Sequence, residues 1–306
     1  MTRLKHYLPE ICIFLTLLAC YAYFFPRWAD WNQNSRLDLV MAIVDKGTLC
    51  IDDYYQNTGD YALFEGHYYS TKAPGSAFLG VPVYWVFKQL VNSPMVNQVL
   101  NWLGSSRAVA GTLREGGTGL LPDKLYVALA LYAITLFTVS IPSALLGVGL
   151  YRFTGYYSSS RAHRLWVTLT YGLATSAFPY AGSYLGHQIV ATLLFFSFYL
   201  VFLVSSGVIG PRILLLVGFL MSYAVITEYP VALIAGAIFF YALYRLPSKT
   251  WVALLIPGGI LPIVMWMVYN YLIFHTPIAF GYLYAPLYTD KNTVGFFSLT
   301  YPRLEP

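Results

Sequence analysis

Apolar runs long enough to cross a lipid bilayer recur along this chain and leave little sequence for a water-soluble core. Of the 306 residues, 58% are hydrophobic and only 10% are charged, which is far from the composition of a soluble domain. A helix needs about 20 mostly apolar residues to cross the hydrocarbon layer. The sequence therefore predicts an all-α, polytopic integral membrane protein.

The apolar runs predict about seven membrane-spanning helices. Arg212 and Arg245 bracket about 32 mostly apolar residues, which is too many for one crossing. We therefore expect a helical hairpin that turns at residues 228–230. The predicted spans are 11–25, 126–150, 165–179, 189–204, 213–227, 231–244 and 252–274.

The charged residues predict how these spans are oriented. The short linkers are basic, and the positive-inside rule places them in the cytoplasm together with the N-terminus. All of the 13 Asp and Glu residues except Glu10 then fall on the extracytoplasmic side or at helix ends facing it. Because the rule ignores carboxylates, their segregation indicates that any chemistry takes place on that side. The expected location is the cell (inner) membrane.

The first extracytoplasmic loop, residues 27–123, carries most of these acids. It is expected to open with an amphipathic helix over 36–46, with Asn34 or Ser35 as its N-cap and Gly47 at its end. Such a helix is expected to lie in the plane of the membrane interface. Its apolar face would consist of Leu37, Val40, Met41 and Val44.

The rest of this loop divides into a polar and an apolar part. Residues 51–69 are rich in Tyr and Asp and too polar to insert into a bilayer. Residues 73–91 are apolar but contain two prolines and Lys88, and they are predicted to be re-entrant or interfacial. A full crossing there would put the basic linker at 152–164 outside, against the positive-inside rule.

The sequence excludes several functional classes. The basic residues are scattered around the apolar runs, so they indicate membrane anchoring and not nucleic-acid binding. No nucleotide-binding, zinc-finger or serine-hydrolase signature is visible. The three cysteines show neither a disulfide framework nor metal-ligand spacing, since Cys12 and Cys20 lie in the first apolar run and Cys50 lies in the loop.

Three blocks at the predicted extracytoplasmic face carry a family resemblance. They are NQNSR at 32–36, GHYYSTKAPG at 66–75, and FPY with GH at 178–180 and 186–187. Together they resemble the GT-C superfamily of polyprenyl-phosphate-sugar-dependent glycosyltransferases, in particular the bacterial protein-mannosyltransferase and aminoarabinose-transferase type. The resemblance implies a GT-C membrane module over residues 1–274. Residues 275–306 would begin a longer extracytoplasmic loop, so we expect a C-terminally truncated member.

The resemblance implies transfer of a hexosyl or pentosyl group from a polyprenyl-phosphate donor to a hydroxyl of a glycan, lipid or protein acceptor. Lys72 matches the family's lysine that contacts the lipid phosphate, and Arg36 can add a forked contact. The family's acid near the start of the loop is matched by Gln33 or Asn34. Its acid at the second extracytoplasmic turn is matched by His187.

Because an amide cannot accept the acceptor's proton, the catalytic base is expected elsewhere on the same loop. Asp60 is the first candidate and Asp52 and Asp53 are the others. Asp60 follows Thr58 and Gly59, a turn that can project a short side chain. Carboxylates are also suitable ligands for Mg²⁺ or Mn²⁺. A requirement for a divalent cation therefore remains an open alternative, and its ligands are unknown.

Four more residues are candidates for contact with the substrate or a metal: His187, Glu228, Tyr69 and Asn34. Each candidate also has a structural interpretation. Loop carboxylates can simply be solvated, Lys72 and Arg36 can snorkel to the headgroups, and Glu228 can cap the following helix. Three tyrosine clusters can stack on sugars but are also typical of interfacial belts: Tyr54 and Tyr55, Tyr68 and Tyr69, and Tyr282, Tyr284 and Tyr288.

Two alternative functions remain at this point. One is a catalytically degenerate GT-C relative, which the amides at Gln33 and Asn34 favour. The other is a non-enzymatic transporter or scaffold. A transporter of this size is expected to show internal repeats with paired broken helices, and the sequence shows no such repeat.

Overall fold

Helices make up most of the computed structural model, which describes residues 7–25, 30–91 and 121–288, together with 93, 94, 97, 98 and 102. The all-α expectation holds for the bulk of this described chain. In chain order the helices are α1 (Leu8–Tyr23), α2 (Trp31–Met41), α3 (Gly75–Val91), α4 (Leu121–Thr135), α5 (Ile141–Thr154), α6 (Arg161–Ala174), α7 (Ala177–Ala181), α8 (Gly186–Ser205), α9 (Leu214–Thr227), α10 (Ala232–Arg245), α11 (Lys249–Val252) and α12 (Leu255–Phe274).

Within the described residues, three helical stretches are long and apolar enough to cross a membrane: Leu125–Thr154, Gly186–Ser205 and Lys249–Phe274. The first of these joins α4 to α5 through a π-helical turn, Leu136–Ser140. Three further apolar helices are shorter, at Leu8–Tyr23, Pro211–Thr227 and Tyr229–Arg245. Length and composition therefore indicate that this is a membrane-associated helical protein.

Helix α2 begins earlier than the sequence suggested. Its N-cap is Asp30, whose carboxylate accepts a hydrogen bond from the Gln33 backbone N–H at 2.9 Å. The prediction that Asn34 or Ser35 caps the helix is therefore wrong. An Asp at the N-cap satisfies one of the orphan N–H groups of the first turn, and this releases Asn34 and Ser35 for contacts with the rest of the loop.

Beyond its first turn, helix α2 is also buried on all its faces. Residues 35–41 are all buried, polar and apolar alike, so the prediction of an amphipathic helix lying in the membrane interface is wrong. Its polar side chains are instead matched by protein groups. The helix continues as a π-helical turn, Ala42–Lys46, and ends at Gly47, whose φ of 67° is the left-handed conformation that favours glycine.

A β-hairpin follows where only a polar loop was expected. Strands β1 (Tyr61–Phe64) and β2 (His67–Ser70) are antiparallel, with Tyr61 opposite Ser70 and Phe64 opposite His67. Glu65 and Gly66, the two turn residues, both have positive φ, 51° and 83°. A two-residue hairpin turn of type I′ requires positive φ at both of its central positions. The hairpin packs into a core with α2, α3, α4 and the end of α12.

Helices α9 and α12 approach each other at glycine positions. A Cβ on Gly218 would overlap the backbone of Leu255, and a Cβ on Gly258 would overlap the backbone of Leu215. Small residues that allow such close backbone contact are typical of helices packed within membranes. The close contact lies near the N-terminal ends of α9 and α12, and the residues that follow their C-terminal ends contribute to the candidate site.

Candidate functional site: a buried charge cluster

Asp60 and Lys72 are brought together by the register of the hairpin. Because Tyr61 lies opposite Ser70, the residues just beyond this pair leave the sheet side by side. The ammonium nitrogen of Lys72 lies 2.8 Å from a carboxylate oxygen of Asp60, and their side chains are only 9% and 14% exposed. The pair is therefore largely shielded from water, where charges interact more strongly than at an open surface.

The backbone of Asp60 is held against α2. Its carbonyl oxygen accepts hydrogen bonds from the hydroxyls of Ser35 at 2.6 Å and Thr71 at 3.0 Å. Its N–H donates to the Thr58 hydroxyl at 3.0 Å. A Cβ on Gly59 would lie 2.7 Å from the ring of Trp31, so a larger residue there would have to displace that ring. These contacts fix the direction of the Asp60 side chain.

Arg36 and Glu228 form a second ion pair that links distant parts of the chain. Arg36 Nη2 lies 2.6 Å from Glu228 Oε1, and the two side chains are 2% and 16% exposed. Arg36 also donates from Nε to the Asn32 side chain at 2.9 Å and from Nη1 to the Ser76 hydroxyl at 2.8 Å. Arg36 therefore ties α2 to α3 and to the turn between α9 and α10.

Glu228 lies against the start of α8 as well. A Cβ on Gly186, the first residue of α8, would overlap the Glu228 carboxylate. A helix N-terminus favours a negative charge, so α8 and Arg36 stabilise Glu228 together. Glu228 does not cap its own following helix, since its side chain makes no capping hydrogen bond there.

Tyr282, in the segment that follows α12, places its ring beside Lys72. The ammonium of Lys72 lies 5.6 Å from the centre of its ring, within cation–π range. Burial raises the pKa of Tyr282 to about 12. The charge of Glu228 raises it further, Arg36 lowers it, and Asp60 adds a smaller rise. We call Arg36, Asp60, Lys72 and Glu228 the buried charge cluster.

The position of Tyr282 depends on its neighbour, Gly281. A Cβ on Gly281 would lie 3.1 Å from the backbone of Ser70 and of Thr71, so this segment runs directly over the end of β2. The sequence offered Tyr282 only as one member of a tyrosine cluster. Its individual position could not be derived from aromatic content alone, because interfacial belts have the same content.

Gly75, at the end of the Lys-Ala-Pro-Gly block, makes a close contact with α9. A Cβ on Gly75 would lie 2.8 Å from the backbone N of Thr227, and the Tyr223 hydroxyl donates to the Gly75 carbonyl at 2.9 Å. The block is thereby fastened to the end of α9, one residue before Glu228. This contact explains how Lys72 comes to lie beside the second ion pair.

The other two candidate bases lie at the opposite end of the hairpin. Asp52 contacts His67, with Oδ2 2.7 Å from Nδ1, and Asp53 contacts Lys46 at 3.0 Å with 59% of its side chain exposed. His67 is three residues along β2 from Ser70, or about 10 Å. The structure therefore brings Asp60 together with Lys72 and leaves Asp52 and Asp53 apart from it.

The amides at the family's acid position brace α2. Gln33 is buried and its side-chain oxygen accepts a hydrogen bond from the Tyr184 backbone N–H at 2.9 Å. The Asn34 side chain donates to the Asn57 carbonyl at 2.7 Å. Neither side chain can take up a proton from an acceptor hydroxyl, and both make contacts that position the loop.

Among the described residues, His187 and Tyr69 form neither a hydrogen bond nor an ion pair with the buried charge cluster. His187 follows Gly186 but is exposed, with its ring edge-to-face with Tyr180 at 4.8 Å between centres. Tyr69 is half-buried on β2, and its ring lies 6.2 Å from that of Phe274. Burial, followed by the nearby Cys50, Asp52 and Glu65, raises the pKa of the Tyr69 hydroxyl.

Asp38 is a buried acid that was not among the candidates. It is 0% exposed, and one carboxyl oxygen accepts a hydrogen bond from the Asn57 side chain at 3.0 Å. Burial raises the pKa of Asp38 to about 8, which the bond from Asn57 offsets only in part. At neutral pH this group is mostly protonated, so it is poorly suited to act as a base.

The possible metal ligands lie away from the buried charge cluster. Within the cluster Asp60 and Glu228 are each matched by a protein cation. Across the described ranges, three ligating side chains come within reach of one ion at Cys50, Asp52 and His67. The sequence missed this group because its members lie on separate segments.

The fold and the site define a helical, membrane-associated protein that buries two acid–base pairs beside a β-hairpin. Comparison of the chain with protein-family models, with curated proteins and with solved structures gave no match. A function must therefore be argued from the chemistry of the buried charge cluster and from the sequence blocks that surround it.

Proposed function

We propose that this protein is a membrane glycosyltransferase that moves a sugar from a polyprenyl-phosphate donor to an acceptor hydroxyl. The observation that carries the proposal is the Asp60–Lys72 pair, at 2.8 Å and largely shielded from water. Such a transfer needs a base for the acceptor proton and a cation for the departing phosphate. The pair supplies one group of each kind, within the sequence block that resembles the GT-C family.

The proposed topology has seven spans, with the N-terminus in the cytoplasm and the cluster outside. Helix α8 supports it, since it begins beside Glu228 and runs for 20 residues, about 30 Å and the thickness of the hydrocarbon layer. At the other end of α8, Leu203 borders an open cavity of about 480 Å³ with Arg152 and Arg164. Arginines at that end agree with a cytoplasmic face.

The proposed reaction is a single displacement at the sugar's anomeric carbon. The acceptor oxygen attacks C1 while its proton passes to the Asp60 carboxylate. The bond from C1 to the phosphate oxygen breaks, and its electron pair leaves with the polyprenyl phosphate. Lys72 stabilises the charge that develops on this leaving group. The configuration at C1 is inverted. The bonds and protons of this displacement balance without a metal ion.

Arg36 receives a different role from the one the sequence suggested. Three of its nitrogens already bind Asn32, Ser76 and Glu228. We therefore assign it to positioning the cluster and to adding positive potential near Lys72, and not to a forked contact with phosphate. Tyr282 is suited to shield the reacting atoms, because its ring lies over Lys72.

The test is sugar transfer by the purified full chain in lipid nanodiscs, with polyprenyl-phosphate hexoses and pentoses as donors. Asp60→Asn keeps the shape but cannot accept the proton, and we expect its rate to fall by a factor of ~10²–10⁴. The matched control is Asp53→Asn, which changes an exposed carboxylate of the same loop and should transfer at the wild-type rate.

Two results would contradict the proposal. A wild-type rate for Asp60→Asn would remove Asp60 as the base, and if the Asp52→Asn/Asp53→Asn double variant also kept the wild-type rate, none of the three candidates would be the base. Failure of the wild-type protein to transfer from any of these donors would favour the inactive relative. The amides at Gln33 and Asn34 are the sequence feature that supports that alternative.

A further inference from the structure

Cys50, Asp52 and His67 gather at the turn end of the hairpin. One ligating atom from each lies within 4.8 Å of the other two. His67 Nδ1 is 2.7 Å from Asp52 Oδ2. The three ligating atoms are therefore already gathered where one cation could contact them all, and a metal ion bound by such groups displaces protons.

The backbone presents these side chains in a regular way. The Ile51 N–H donates to the Tyr68 carbonyl at 2.7 Å, so residues 50–52 run alongside β2. Side chains alternate along an extended segment, and Ile51 points inward with 0% exposure. Cys50 and Asp52 consequently point outward on the same side, where β2 begins with His67.

Surrounding groups hold the ligands in place. The Tyr68 N–H donates to the second carboxylate oxygen of Asp52 at 2.7 Å. The Thr48 hydroxyl lies 3.2 Å from the Cys50 N and 3.1 Å from its sulfur. The ring of Tyr55 stacks on that of Tyr68, with 3.7 Å between centres. Such outer contacts orient ligands and are part of a working metal site.

We propose that Cys50, Asp52 and His67 bind a zinc ion, with water in the fourth position. A thiolate, an imidazole and a carboxylate form a donor set that zinc accepts, whereas Mg²⁺ and Ca²⁺ prefer oxygen ligands throughout. Zinc bonds of ~2.0–2.3 Å place ligand atoms about 3.3–3.7 Å apart, so small side-chain rotations close the group around the ion.

Binding releases the thiol proton of Cys50, since zinc takes the thiolate, and the neutral imidazole of His67 binds through Nδ1 with its proton on Nε2. The ion would fasten residues 50–52 to the start of β2, about 10 Å from Asp60 and Lys72. This inference does not rest on the proposed transferase activity. The probe is therefore the metal alone.

The experiment is titration of the purified, metal-free full chain with Co²⁺, followed by displacement with Zn²⁺. We expect one Co²⁺ per chain, a thiolate-to-cobalt charge-transfer band, and loss of that band as Zn²⁺ is added. Cys50→Ser should abolish the band, and His67→Gln should weaken binding by a factor of ~10–100 or more. Controls are Cys20→Ser, in α1, and Asp53→Asn, beside the site, which should bind as wild type.

A second measurement uses the wild-type protein and avoids any folding defect of the variants. Alkylation of Cys50, followed by mass spectrometry, should be slowed at least tenfold by Zn²⁺ and restored by a chelator. Absence of the charge-transfer band in wild type, an unchanged band in Cys50→Ser, or equal alkylation with and without zinc would each overturn the inference.

Discussion

The two ends of the hairpin carry similar groups in different surroundings. At the open end Asp60 meets Lys72 with 14% and 9% of their side chains exposed, whereas at the turn end Asp52 meets His67 with 36% and 57% exposed. The first end is covered by α2, by the turn at Glu228 and by the segment with Tyr282. The second faces solvent, and water screens its charges.

Burial, more than residue type, therefore distinguishes the candidate carboxylates at the two ends of the hairpin. In a shielded site a removed partner leaves an uncompensated charge, whereas an exposed pair contributes little to stability. The two ends should therefore respond differently to the same substitutions. Four predictions test this, from the largest effect to the smallest.

Arg36→Met should destabilise the protein by ~3–5 kcal/mol, because it leaves Glu228 buried without its cation. Lys46→Met, at the exposed pair with Asp53, should change stability by less than ~1 kcal/mol. The measurement is reversible denaturant unfolding in detergent. Equal effects of the two variants would mean that burial does not separate the two classes of ion pair.

Lys72→Met should lower the rate of sugar transfer by a factor of ~10²–10³, because the leaving phosphate loses its stabilising cation. Lys46→Met again serves as the matched control and should retain full activity. Rates are to be compared at saturating donor in protein that elutes as a folded species. An active Lys72→Met variant would return this lysine to a headgroup-anchoring role.

Gly186→Ala should cost ~1–3 kcal/mol of stability, since its Cβ overlaps the Glu228 carboxylate and pushes it away from Arg36. Gly210→Ala is the control, because nothing lies within 4 Å of a Cβ at that position. Thermal melting in detergent distinguishes the two. A melting temperature unchanged in Gly186→Ala would mean that the turn at Glu228 accommodates the methyl group without loss of stability.

Asp53→Asn should have the smallest effect, below ~1 kcal/mol, because both Asp53 and Lys46 are more than half exposed. Raising the salt concentration should reduce even this difference. Denaturant unfolding at low and high salt checks it. A loss comparable with that of Arg36→Met would contradict the contrast between the two ends of the hairpin.

The sequence predicted the class of protein, the end of one helical segment and two residues of the candidate site. Apolar runs indicated a helical membrane protein, Gly47 ends the helical segment at 46 as expected, and Asp60 and Lys72 were both singled out. The contacts that bury them were not predictable, because Arg36 and Glu228 are separated by 192 residues. No local pattern records which distant segments meet.

The hairpin escaped prediction for a different reason. Its strands have only four residues each, YALF and HYYS, and neither shows the strict alternation of apolar and polar residues that marks a half-buried strand. The polar helix positions were also misleading. An amphipathic helix was expected there, but Ser35 and Arg36 are hydrogen-bonded to protein groups and one oxygen of the buried Asp38 accepts a bond from Asn57. Polarity alone cannot separate a solvated side chain from one that is buried and hydrogen-bonded.

The raised pKa of Asp38 links folding to proton uptake. With a pKa of about 8 when folded and 3.8 as the ordinary value, the native protein holds one proton more than the unfolded chain between those pH values. Stability contributed by this group is therefore full below pH ~4, declines as pH rises, and is lost above pH ~8. The midpoint of thermal unfolding should fall across this range, and Asp38→Asn should flatten the profile. Mild acid would thus favour the native state.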